Sequence, residues 1–492
     1  MRTIAADIAK EKGQLDKYFN TCISAGRGGE IMRHVAYEQL KMTKKECGFQ
    51  YIRFHGLFHE EMAIVTRDKD GKLSFNFQYV DLLFDSLLDI GFRPIVELGM
   101  MPDIMAKEKA YHFWWKINIS MPEKMEEWHQ LVEETVRHFT ERYGEEEVKN
   151  WFFEVWNEPN HKAFFTESDN PDAYFQLYES AADAVKSVCP DYKVGGPVTA
   201  GLEWLEEFLA YCKENNTPVD FIAGHRYCVT GTRDAEGNKQ TIILPADFLI
   251  ERINDFGDRC KEAGLPCLIT EWSSSYNSRD HIHDSYFNAV FILEAIKRCA
   301  GHVDMLSYWV YTDIFEELRP PETPFHGGFG LITVQSVPKP SYYLYTFLNR
   351  LADTELVCED ESAYVCRSEN EAQILFWNYV HPDMTDKTDA DVFDQPFLTK
   401  KIDDANVKLS GLDKNKSYHV TVETLGYHKG DTLSAYMEEN YPVHLSKAQV
   451  EELKEKAKPA KTEFEVMSDD SGNLCFALEQ TENQIDFITI AI

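Results

Sequence analysis

Two glutamates stand where short apolar strands give out. Glu158 follows Phe152-Phe153-Glu154-Val155-Trp156-Asn157 and precedes Pro159, and Glu271 closes Cys267-Leu268-Ile269-Thr270 before Trp272. A parallel barrel gathers its chemistry at the carboxyl ends of its strands, and two carboxylates facing one pocket are the minimum apparatus for cleaving a glycosidic bond. Pro159 sets a rigid turn directly after Glu158. Asn157 beside it can donate to a sugar hydroxyl, a contact that tightens in the transition state of retaining glycosidases. Glu271 alone is the weaker signal, since a structural salt bridge would also explain an acid at a strand end. Its place 113 residues after Glu158 (271 minus 158), on a seventh strand where Glu158 ends a fourth, strengthens it.

Those strands belong to a series. β-Rich runs at 19–24, 51–54, 94–98, 152–156, 193–198, 220–225, 267–271 and 305–310 alternate with amphipathic helical stretches. Eight such units predict parallel strands joined by crossover helices and closed into a (β/α)8 TIM barrel. One crossover helix is expected from Pro122, with Trp128, Leu131, Val132, Val136, Phe139 and Tyr143 at helical spacing and Gly144 ending it. A second runs from Ala173 to Val188 before Pro190. After an amphipathic segment at 342–351 the texture changes to alternating strands at 372–379, 407–409, 418–424 and 487–492, with a charged helix near 448–456. This predicts a C-terminal β-sandwich. The expected division is a catalytic barrel over 16–340 and an accessory domain over 341–492, with residues 1–15 free to contribute to the latter.

Composition bounds the function. At 492 residues the chain suits a barrel plus a smaller partner, and its aromatic content of 13% leaves ample apolar surface to bury. A net charge of -33 repels phosphate backbones and anionic bilayers, so neither nucleic acid nor a membrane surface is an expected partner, and a neutral substrate is the easier fit. Charge interrupts the first twelve residues, and no uncharged apolar run approaches the length of a membrane span. The 11 cysteines are scattered and never form a CxxC pair, which fits reduced thiols and a cytoplasmic location better than disulfides or a zinc site.

Five segments carry a resemblance to a known family: Tyr51-Ile52-Arg53-Phe54-His55-Gly56, Glu97-Leu98-Gly99-Met100-Met101-Pro102, Phe153-Glu154-Val155-Trp156-Asn157-Glu158-Pro159-Asn160, Gly195-Gly196-Pro197 and Phe325-His326-Gly327-Gly328-Phe329-Gly330. Together they resemble glycoside hydrolase family 39, the β-xylosidases and α-L-iduronidases among the (β/α)8 retaining glycosidases, and the likeness to the bacterial β-xylosidases is nearly full length. The resemblance implies Glu158 as general acid/base and Glu271 as nucleophile, the same pair that the strand-end argument selects. It also implies a sugar pocket involving His55, Phe113, Asn157, Phe164, His225, Tyr227, Tyr276, Trp309, Glu316 and Glu317. Aromatic faces suit a sugar ring, and acids and histidines suit its hydroxyls. Phe113, Phe164 and Trp309 serve barrel packing as readily, and Glu316-Glu317 also reads as a solvated acidic loop.

Three positions depart from the family pattern: Trp272 where tyrosine is often found, Arg226 between His225 and Tyr227, and His59 before Glu60-Glu61. They bear on sugar identity and leaving-group preference more than on reaction type. No metal is expected, because His59-Glu60-Glu61 is not HExxH and His281-Ile282-His283-Asp284 lacks a matching ligand set. No cofactor is expected either. The resulting expectation is a retaining exo-β-xylosidase acting on xylo-oligosaccharides and assembled as a homo-oligomer, a dimer or tetramer. The rivals are the same machinery on an arabinopyranoside, galactoside, glucoside or uronide, and a silent carbohydrate-binding protein.

Overall fold

The computed structural model describes residues 2–233 and 239–492. Eight parallel strands close into a barrel: Cys22–Arg27, Tyr51–His55, Arg93–Leu98, Phe152–Val155, Lys193–Ala200, Phe221–Tyr227, Cys267–Ser273 and Met305–Tyr308, with Tyr308 pairing back to Ile23. Each of the eight expected runs supplies one strand. These strands are buried along almost their whole length, as helices on the outside and side chains on the inside require of a parallel barrel. The first strand starts at Cys22 rather than Phe19, because Tyr18–Asn20 forms a 3-10 turn whose Tyr18 hydroxyl donates to the Ile296 carbonyl.

The helix before the fourth strand spans Met125–Tyr143 and stops at Gly144, whose φ of 85° a β-carbon would disfavour. It starts three residues later than Pro122 suggested. Pro122 instead bridges Ala106, and the flanking amides of Lys107 and Glu123 are used in that pairing, which holds this stretch extended. The next crossover helix, Pro171–Val188, has its proline in the first turn, where the missing N–H costs nothing.

Inside the barrel the side chains form layers. At the amino end Cys22, Tyr51, Ile95, Phe152, Phe221, Leu268 and Met305 make an apolar plug. Two residues further along the same strands the inward positions turn polar: Ser24, Arg53, Glu97, Glu154 and Ser307 are all buried. This is period-two alternation carried up a barrel wall.

The C-terminal part is a sandwich. A seven-stranded sheet and a three-stranded sheet enclose a core that includes Ile4, Val365, Ile374, Val407, Val420 and Ile488. The chain's start joins both: Arg2–Asp7 pairs in parallel with Lys401–Ser410, and Glu11–Gln14 pairs antiparallel with Thr354–Leu356. The sandwich supports two loops at the carboxyl face of the barrel. Asp389 accepts the amides of His281 and Ile282 after the seventh strand, and Tyr436 packs on Phe325 after the eighth. Nine of the 11 cysteines are buried as free thiols, which accounts for them as core residues. Among the described residues no helix is long and apolar enough to cross a membrane.

Candidate active site

Arg53, on the second strand, is the hub of the polar layer. Its guanidinium donates through Nε to Glu154 (2.5 Å), through Nη1 to Glu271 (2.6 Å), and through Nη2 to Glu97 and to Asn157 Oδ1 (both 2.9 Å). Every member of this set is buried, so the pairing is what makes the burial of so many charges tolerable. His55, two residues on and on the same face, bonds Glu97 at 2.7 Å through Nδ1 and brings Nε2 to 3.6 Å from Glu271.

Glu271 reaches this hub through a break in strand regularity. Alternation from Leu268 and Thr270 would turn residue 271 outward. The pairing with the sixth strand steps from Gly224↔Ile269 to His225↔Glu271, so Thr270 is an extra residue, and the bulge re-aims Glu271 into the barrel. The strand continues to Ser273 because Arg226 and Tyr227 still find partners there. The second oxygen of Glu271 accepts from the Tyr227 hydroxyl at 2.7 Å.

Glu158 arrives differently, on the turn after the fourth strand. Trp156 and Glu158 both adopt left-handed backbone angles (φ 72° and 44°), held by amides that donate to Leu98 and Val198 on the two neighbouring strands. Non-glycine residues held there signal a position fixed by its surroundings for use. His225 joins the two acids: its Nδ1 lies 3.0 Å from Glu158 Oε1 and 3.6 Å from Glu271 Oε2, and its Nε2 lies 3.1 Å from Thr270 Oγ1. Donor atoms of Glu158, His225 and Glu271 all fall within 4.8 Å of one another.

Burial pushes the Glu158 carboxyl well above its ordinary range, and the charge of Glu271 pushes the same way against the opposing pull of Arg53. Burial also drives His225 well below its ordinary value, with Arg53 and His55 adding to the effect. His225 is therefore a neutral imidazole with one N–H. When Glu158 is protonated its O–H can point at Nδ1; when Glu158 is ionised the imidazole can donate instead. Such an arrangement suits a carboxyl that gives up and regains one proton.

The remaining predicted residues fall around this centre. Trp309 is buried against His55 (ring centroids 4.9 Å apart) and beside the Arg53 guanidinium. Phe113 stacks on His55 at 6.2 Å and meets Phe164 edge-on at 5.4 Å, both half-buried. Tyr276 is 52% exposed and touches Tyr227 edge-on. Glu316 and Glu317 separate: Glu316 is bound by Arg27 and by both Nη atoms of Arg33, whereas Glu317 is half-buried and lies in the field of Glu271, Glu30 and Glu158. Burial, then those three acids, raise the Glu317 carboxyl well above its ordinary value.

The departures noted in the sequence occupy the periphery. Trp272 is buried against Tyr308, Arg226 lies over Phe248, and His59 Nε2 bonds the Trp115 carbonyl while its Nδ1 accepts the Glu61 amide. The His281-Ile282-His283-Asp284 cluster is likewise occupied: His283 bonds two backbone carbonyls and Asp284 contacts Lys339. Two carboxylates and an imidazole within 4.8 Å have a spacing that metal sites share. The Arg53 guanidinium already on Glu271 puts a positive charge beside that position, which disfavours a second cation there.

Arg53, Glu97, Glu154 and Thr270 were not singled out as site residues from sequence. A signal existed for three: a charged residue at an inward position of an apolar strand, as in Tyr-Ile-Arg-Phe-His, Ile-Val-Glu-Leu and Phe-Phe-Glu-Val, must find a buried partner. Thr270 carried none, because a bulge is a property of strand pairing.

A family model described as Glycosyl hydrolases family 39 matches residues 2–474. A β-xylosidase of Caldicellulosiruptor saccharolyticus is 35% identical over 470 residues, covering 92% of this chain and 90% of its own. A β-xylosidase of Geobacillus stearothermophilus is 37% identical over 375 residues, 74% of each chain. The crystal structure of a monomeric β-xylosidase from Caulobacter crescentus CB15 superposes with a TM-score of 0.94 at 35% identity, covering 100% of this chain and 99% of that one.

Proposed function

The chain belongs to glycosyl hydrolases family 39, and from that premise we propose that it is a retaining, exo-acting β-xylosidase that releases xylose from the non-reducing ends of β-1,4-xylo-oligosaccharides. The observation that carries the mechanism is the spacing of the two acids. One carboxylate oxygen of Glu158 lies within 4.8 Å of one of Glu271, which favours the roughly 5–5.5 Å separation of direct nucleophilic attack over the about 6.5–9.5 Å of an inverting pair that seats a water between its acids.

Glu158 gives its proton to the glycosidic oxygen as Glu271 attacks the anomeric carbon, and the bond to the leaving sugar breaks with its electron pair on that oxygen. Water then attacks the anomeric carbon, Glu158 takes its proton, and the bond to Glu271 breaks, so two inversions give net retention. Arg53 and Tyr227 supply donors to the Glu271 oxygens, orienting them and holding charge there. Asn157 has its Oδ1 occupied by Arg53, which leaves Nδ2 to donate to the sugar's 2-hydroxyl.

A uronide reading is disfavoured on charge. Arg27, Arg33 and Arg53, the arginines nearest Glu271 and Glu316, are each already paired with protein carboxylates and so are not free to clamp a sugar carboxylate. We extend the proposal to a cytoplasmic enzyme on the strength of its free thiols, and to a homo-oligomer, in contrast to the monomeric Caulobacter protein.

The test is release of the aryl group from an aryl β-D-xylopyranoside, with the anomer of the first-formed xylose read by NMR. β-Xylose as first product, and loss of turnover in Glu271→Ala, is the expected result. α-Xylose would reject retention, and no turnover would reject the xyloside.

A further inference from the structure

A wall of rings runs from the nucleophile round to the acid. It starts at His55, 3.6 Å from Glu271, continues to Phe113 and then Phe164, and ends at His161, whose ring lies 5.7 Å from that of Phe164. His161 returns the wall to the acid, because its amide donates to the Glu158 carbonyl at 2.9 Å. His112 sits in the angle between Phe113 (4.3 Å) and Phe164 (5.1 Å). His161 and Phe164 thus stand on the loop that follows Glu158, and His112 is brought beside them from the loop after the third strand, outside the set of groups that surrounds Glu271.

Position decides what they can touch. The leaving oxygen must come within about 2.6–3.2 Å of the Glu158 carboxyl to be protonated, so the sugar attached to that oxygen lies against the Glu158 turn. Resting on the glycosidase reading above, we propose that His112, Phe164 and His161 form the subsite for the leaving-group pyranose, Phe164 offering its face and the two imidazoles binding hydroxyls.

Hydrogen-bond capacity supports this use. His161 Nδ1 accepts the Ala163 amide at 3.3 Å, which places the ring proton on Nε2, and that N–H has no partner among the described residues. Neither ring nitrogen of His112 is bonded among the described residues, although the ring is half-buried. Burial pushes His112 down to about 4 and lowers His161 also, so both are neutral near pH 7: His112 offers a hydroxyl one donor and one acceptor, and His161, its Nδ1 taken by the Ala163 amide, offers the Nε2 donor. The backbone holds the set in place: Trp114 N–H donates to the Glu317 carbonyl at 2.7 Å, and Phe164 N–H to the His161 carbonyl at 2.9 Å.

The experiment compares xylobiose, whose leaving group is a pyranose, with β-D-xylopyranosyl fluoride, whose leaving group is one atom. In His112→Ala and His161→Ala the ratio of kcat/KM for xylobiose to that for the fluoride falls about tenfold, the size of one lost hydroxyl contact with its partner left unpaired. His161→Gln, which keeps a donor, recovers part of the ratio. An unchanged ratio in both alanine variants overturns the subsite and leaves the reaction standing. Wild-type protein inert on both substrates overturns the β-xylosidase reading itself, and the subsite with it. Turnover of the fluoride by the variants shows that they fold.

Discussion

Arg53 Nη1 donates to Glu271 Oε1 at 2.6 Å from a guanidinium with no exposure to solvent. The same side chain holds Glu97, Glu154 and Asn157, so one cation on the second strand orients acids on the third, fourth and seventh. A single buried charge thereby links the barrel's stability to the placement of the proposed nucleophile.

Arg53→Met therefore costs both. Removing the cation leaves three acids facing one another in a dry layer, a loss of about 3–5 kcal/mol for breaking a buried pair. Urea denaturation should show this shift in midpoint. Turnover of an aryl xyloside in the folded fraction should drop at least about a hundredfold, as for a lost charge-stabilising donor.

Glu158→Gln separates proton donation from attack. The proposed mechanism needs Glu158 protonated, and its pKa is raised, so wild-type kcat should fall as pH rises through that value. The variant should lose this alkaline limb. It should also lose about 10²–10⁴ in kcat/KM on xylobiose and much less in kcat/KM on a dinitrophenyl xyloside, whose leaving group needs no proton, while kcat on the latter falls because the second step needs Glu158 as base. A pH–rate series on both substrates checks this.

Glu317→Gln should stabilise the protein increasingly as pH rises. The folded-state pKa is raised, so the wild-type group favours folding below its unfolded value near 4.5 and loses that contribution as pH climbs toward the folded value. The amide does not titrate. Its advantage should grow from pH 5 to pH 8 by at most about 1.4 kcal/mol per pH unit, read as the difference in thermal midpoint between the two proteins. An advantage independent of pH would contradict the placement of Glu317 among the other acids.

Lys339 tests the support of the eighth loop. Its ammonium, fully buried, contacts Asp284 at 2.6 Å and Asp313 at 2.8 Å and donates to the Gly328 carbonyl at 2.7 Å. Burial, against the pull of Lys339 and with the push of Asp284, brings Asp313 up to about 6. Lys339→Met should cost about 3–5 kcal/mol, and adding Asp284→Asn and Asp313→Asn should recover most of it. Denaturant midpoints for the single and triple variants decide the point.

Much of this was legible in the chain. The eight strands appear as β-rich runs because a parallel barrel buries both faces of each strand, and local residue type then reports position. Glu158 stood out because Asn157 and Pro159 constrain its turn. The start of the helix at Met125 was not legible, since Pro122 is compatible with a first helical turn and with the bridge to Ala106 that it makes.

The sequence by itself determined the barrel and the sandwich and pointed to Glu158 and Glu271 as the proposed acids, because hydrophobic periodicity and turn chemistry act between near neighbours in the chain. Only the tertiary structure decided that Thr270 is an extra residue and Glu271 faces inward, since register is a relation between strands more than forty residues apart (271 minus 225 is 46). It alone decided that Glu316 belongs to Arg27 and Arg33 while Glu317 lies among the acids of the site. Two adjacent glutamates are alike as letters, and what distinguishes them is the field of charges that folding brings around each.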